Sequence, residues 1–110
     1  MPARIPEFVL MVEETLAPLG LIERKRFFGG WSFAIDGGRF VYLLRGALYL
    51  SADEALRQAL REEGCGPFRY LKGGREIVVE KFYEAPGACL DDPDALRDWA
   101  ARAGRAVGAL

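Results

Sequence analysis

A chain of 110 residues makes one domain, and 51% hydrophobic against 28% charged residues is an ordinary globular balance, which excludes disordered, collagen-like and coiled-coil designs. A net charge of −1 argues against a dedicated nucleic-acid binder, and the lack of histidine beside two isolated cysteines removes the usual zinc ligand sets. No stretch approaches the roughly 20 apolar residues of a membrane span and "MPARIPEF" has no secretory run, so a soluble cytoplasmic protein with Cys65 and Cys89 as free thiols is expected.

Ile5, Phe8, Val9, Val12, Leu16 and Leu19 fall at helical spacing behind Pro6, which suits a first helical turn; Pro18 ends that helix near Ala17 and Gly20 turns the chain. From Arg24 to Leu50 the period becomes two. "RFVYLLRGALYL", Arg39 to Leu50, predicts two strands around an Arg45-Gly46 turn, with Asp36-Gly37-Gly38 a second hairpin signal before it. Pairing across Arg45-Gly46 sets Val41, Leu43, Leu48 and Leu50 on one face and Phe40, Tyr42, Leu44 and Tyr49 on the other. Whether Trp31, Phe33 and Ile35 join the aliphatic or the aromatic face depends on a preceding loop of three or two residues, because a slip of one reverses every side chain.

Ser51 and Glu54 form a predicted capping box for a helix with a Leu56 and Leu60 stripe, stopped at Gly64. Strands Pro67 to Leu71 and Glu76 to Tyr83 follow. Asp92 and Pro93 then open a helix whose apolar face is Leu96, Trp99, Ala100, Ala103 and Val107, with Gly104 and Gly108 fraying its end. The order is helix, three strands, helix, two strands, helix: a single α+β domain over residues 1–110, in two layers, with one antiparallel sheet and helices on one face.

The stretch "FFGGWSFAIDGG", Phe27 to Gly38, raises the question of a phosphate cradle. Such a loop leads into a helix, whereas here aromatic and β-branched residues follow; the glycines are read as a bend in one long strand from Arg24 to Ile35. Catalytic residues, cofactors and metal sites are all expected to be absent. No histidine serves as a base, Cys65 reads as a helix-terminal loop residue, and Asp91-Asp92-Pro93-Asp94 reads as the acidic start of a helix.

Helices on one face leave the other face of the sheet bare, and an aromatic face is a larger apolar patch than monomers usually show. It predicts a partner, most simply a second copy of the chain. The residues expected to carry that contact are Phe28, Gly29, Gly30, Trp31, Phe40, Tyr42, Tyr49 and Tyr83. The alternative is weak nucleic-acid binding through a basic strand patch, Arg24, Arg26, Arg39 and Arg45, since Leu21 to Leu50 carries five basic against two acidic residues.

"KRFFGGWSFAIDGGRFVYLL", "LYLSADE", "GCGPFRYLKGG", "FYEAP" and "LDDPDALRDWAARA" resemble, in order and spacing, the amino-terminal domain of the TfoX family of bacterial competence regulators. The resemblance implies the same α+β architecture, similar to secretion-chaperone-like domains, and no catalytic activity. It implies a positive regulator of DNA-uptake genes acting with a cyclic-AMP-responsive transcription factor. The carboxy-terminal domain of the full-length regulators is expected to be absent. The function expected is thus a non-enzymatic regulatory or protein-interaction module, acting as a homodimer, without contact with membranes.

Overall fold

The computed structural model describes residues 4–110. Helix α1 spans Glu7–Leu16 and continues into a short 3-10 turn, Ala17–Leu19. Pro6 stands at its amino end, where its carbonyl accepts from the amides of Val9 and Leu10 at 3.0 and 3.3 Å. Proline costs nothing there, because amides of the first turn have no partner within the helix. Val9, Val12 and Leu16 face the core.

Four strands follow where three were expected: β1 (Glu23–Phe27), β2 (Gly30–Ile35), β3 (Gly38–Leu44) and β4 (Ala47–Ser51). The predicted single strand from Arg24 to Ile35 is instead a tight hairpin. Phe28 (φ 48°) and Gly29 (φ 73°) form its two-residue turn, in the left-handed conformation that matches the twist of the paired strands. Gly30 then runs so close to β3 that a Cβ would lie 2.2 Å from the Leu43 carbonyl oxygen. The glycine pair therefore serves one turn and one close approach.

Helix α2 (Glu54–Glu62), β5 (Pro67–Lys72), β6 (Arg75–Glu84), a 3-10 turn (Gly87–Leu90) and α3 (Pro93–Ala106) complete the chain. The six strands form one antiparallel sheet in the order β1-β2-β3-β4-β6-β5. The α+β architecture with its helices on one face is as expected. The β3–β4 register also agrees, with Val41 opposite Leu50 and Leu43 opposite Leu48.

The β2–β3 loop has two residues, Asp36 and Gly37, yet Phe33 pairs with Val41 while Ala34 pairs with Arg39, leaving Phe40 as an extra residue. This bulge turns Phe40 onto the helix side beside Val41, which corrects its expected place on the aromatic face, and brings Trp31, Phe33 and Ile35 to the helix side with it.

Two helix ends also differ from expectation. Asp53, not Ser51, caps α2, its carboxylate accepting from the Leu56 amide at 2.9 Å. Ser51 is claimed by the sheet, where its hydroxyl donates to the Arg39 carbonyl at 2.8 Å. The end of α3 is capped rather than frayed: the amides of Ala109 and Leu110 return to the Gly104 carbonyl at 2.8 and 3.2 Å. A Cβ on Gly104 would lie 2.7 Å from the Leu110 side chain, so the glycine makes room for the terminal residue. At α2 the predicted stop holds, with the Cys65 amide bonded to the Leu60 carbonyl across Gly64.

The main core lies between helices and sheet. Helix α3 sits between α1 and α2 and packs on β3 and β4, with Leu96, Ala100 and Ala103 against Val41, Leu48 and Leu50. The Arg97 side chain ties α3 to α1 by donating to the Thr15 carbonyl at 3.1 Å. No helix among the described residues is long and apolar enough to cross a membrane.

Candidate interaction surface

The second face of the sheet is aromatic, as alternation on β3 and β4 predicts, but it is mostly closed. Tyr42, Leu44, Phe68 and Phe82 form a buried cluster there, with Phe27, Tyr49, Tyr70 and Val79 packed against it. Tyr42 stacks on Phe82 at 4.4 Å, and Phe82 meets Phe68 at 5.3 Å. No helix among the described residues covers them. The cover comes from the sheet itself: Phe28, in the β1–β2 turn at one edge, reaches Phe68 and Tyr70 on β5 at the other edge, with ring centroids 6.5 and 5.8 Å apart. The sheet is coiled into a trough.

The bend that closes it lies on β6. Pro67 pairs with Tyr83 but Phe68 with Val79, so Glu80, Lys81 and Phe82 are extra residues against β5, and extra residues bend a strand. The other side of β6 pairs with β4 only through Phe82, Tyr83 and Glu84. From Arg75 to Val79 it pairs with β5 alone, so the outer parts of β5 and β6 form a two-stranded arm.

The arm has apolar groups on both sides. Tyr70 and Ile77 pair on the trough side; Leu71 and Val78 lie on the other, 73% and 40% exposed. Alternation in the first half of the sheet does not point to these residues. Their signal was the run Ile77-Val78-Val79, which puts apolar side chains on both faces of one strand.

The expected contact residues do not form one surface. Phe28 is 65% exposed on the rim of the trough, and Gly29 is exposed beside it. Gly30 is buried against β3, Tyr42 is buried in the trough and Tyr49 is half-buried. Phe40 is wholly buried in the helix-side core, and Trp31 packs against that same core. Tyr83 also lies on the helix side. Its hydroxyl accepts from Arg61 of α2 at 2.9 Å and donates to Glu80 at 3.0 Å, fastening α2 to the bent part of β6. Burial, together with Glu84, pushes the Tyr49 hydroxyl pKa upward, so it stays protonated.

The four candidate arginines are divided. Arg24 and Arg26 flank Trp31 on the helix side, at 5.8 and 4.6 Å from its ring, and Arg24 pairs with Glu13 of α1. Arg39 lies over Phe27 at 5.0 Å and Arg45 over Phe68 at 5.9 Å, at opposite ends of β3.

Neither thiol is poised as a nucleophile. Burial, with Glu84 and Glu63, pushes Cys65 up, while burial, with Cys65 and Asp92, pushes Cys89 up to about 11. Asp92 is occupied as the cap of α3, and Asp94 pairs with Arg97 at 3.0 Å. Among the described residues no group of three acidic or thiol side chains is placed to hold a metal.

The model of the TfoX N-terminal domain family matches residues 14–107 of the chain. That family is a regulatory, non-catalytic one. No curated protein matches the chain.

Proposed function

Since the chain belongs to the TfoX N-terminal domain family, we propose that it is a non-enzymatic regulatory module of the cytoplasm that works by protein contact, its first partner being a second copy of itself. The observation that carries the dimer is the β5–β6 arm. Leu71 and Val78 are uncovered on one side, and Phe28 stands exposed at the rim on the other. Both backbone edges of the arm are unpaired among the described residues. A two-stranded ribbon is marginal by itself, and a strand added from another copy supplies both the missing backbone bonds and the apolar cover. A role in competence, with a transcription factor as the onward partner, is the extension that family kinship supports. Nucleic-acid contact through Arg24, Arg26, Arg39 and Arg45 is less well supported, because no single surface presents all four.

Light scattering on the eluting protein tests the reading. A dimer is expected at micromolar concentration, and Leu71→Asp with Val78→Asp should give a monomer of unchanged circular dichroism. A wild-type chain that stays monomeric throughout that range overturns it.

A further inference from the structure

A second feature lies where β3 begins and β4 ends, away from the outer arm. Arg39, Arg57 and Lys81 line one groove, whose far wall is the end of α3 at Ala106 and Val107. The single carboxylate lining it among the described residues, Asp53, is held as the cap of α2. Arg39 and Lys81 form no salt bridge among the described residues. The Tyr42 and Ser51 hydroxyls, 2.9 Å apart, complete the wall, and Ser51 bonds the backbone from which Arg39 projects.

Arg57 is the informative residue. Its Nη1 lies 3.7 Å from Glu54, while its buried Nε has no hydrogen-bond partner among the described residues. Buried N–H groups are nearly always bonded, so an unpartnered one calls for an acceptor. The N–H bonds of Nε and Nη2 lie side by side and form the edge with which arginine grips an oxyanion through two bonds. Glu54 engages the opposite end of the guanidinium. Arg102 and Arg105, also without salt bridges among the described residues, line the adjoining groove and add to the positive field.

We propose that this groove binds a small phosphate-bearing anion, held between the three cations that line it, Arg39, Arg57 and Lys81. Three cations suit a multiply charged phosphate better than one carboxylate. A nucleic-acid strand fits less well, because it needs a continued basic track, and Arg24, Arg26 and Arg45 lie elsewhere in a chain of net charge −1.

Calorimetric titration of the full chain with pyrophosphate, and separately with ATP, in low-salt chloride buffer tests this. Saturable binding is expected that weakens about tenfold or more in Lys81→Ala and in Arg57→Ala, the loss typical of a charge-assisted bond, and is unchanged in Arg45→Ala. Tighter binding of ATP than of pyrophosphate supports a nucleotide ligand, and equal binding a bare phosphate. Lys81 is exposed, so its variant carries the test even if Arg57→Ala fails to fold. Absence of binding by both probes overturns the proposal, as does an equal loss in Arg45→Ala, or retention of single-stranded DNA by a chain that binds neither probe. The Leu71 and Val78 double variant should bind as the wild type does, so failure of the groove and failure of the arm are read separately.

Discussion

The two faces of the sheet are both apolar, yet they are hidden by different means. On one, α1, α2 and α3 supply the cover, and Phe33, Phe40 and Val41 are wholly buried. On the other, curvature supplies it: the edges of the sheet approach until Phe28 meets Tyr70. An aromatic face left bare by helices therefore does not by itself predict a partner. What predicts one is the part that curvature cannot reach, the outer arm with Leu71 and Val78.

Removing a ring from each face measures how different the two kinds of cover are. Phe40→Ala opens the helix-side core at a site with no exposure, and should cost about 3 to 5 kcal/mol in urea unfolding. A cost no larger than that of Phe28→Ala would break the contrast. Gly30→Ala attacks the link between the faces, since its Cβ would strike the Leu43 carbonyl and force β2 from β3; about 2 to 3 kcal/mol should be lost. A neutral Gly30→Ala would mean that the strands are not so closely set.

Alkaline pH probes the helix side through Cys89, which is 4% exposed. Its pKa rises from 9.0 to about 11 on folding, so the unfolded chain gives up the proton first. The stability that this thiol contributes is whole below pH 9 and is lost as pH climbs through 11, on the order of 2 to 3 kcal/mol. Cys65 and Tyr49 shift the same way. Urea midpoints across that window should fall, and fall less in Cys89→Ala; an identical slope in that variant would place the sensitivity elsewhere.

Much of this architecture is legible in the residues, and the misreadings have physical causes. Asp36-Gly37 and Arg45-Gly46 announce their hairpins, but Phe28-Gly29 does not, because a bulky residue rarely takes the left-handed first position of such a turn. The missing strand follows from that one residue. Phe40 was misplaced because a period of two assumes an unbroken ladder, and a bulge is invisible to alternation. The capping signal at Ser51 was real in pattern, but a strand reaching to Ser51 moved the helix start to Asp53. The groove at Arg57 joins two strands, the strand bend and two helices, so no local spacing could reveal it.

The smallest effect bears most directly on the trough. Phe28 is two-thirds exposed and held in a left-handed conformation costly to a side chain of its size, so neither burial nor backbone preference explains its place. Its contacts with Phe68 and Tyr70 do, because they join the two edges of the sheet. A double-mutant cycle on Phe28→Ala and Tyr70→Ala should then return a coupling of about 0.5 to 1.5 kcal/mol, the range for aromatic pairs. These residues lie 42 positions apart on opposite edge elements, so coupling between them has no source in local structure. A coupling of zero would mean that the sheet is open in solution, and the aromatic face would again need a partner to cover it.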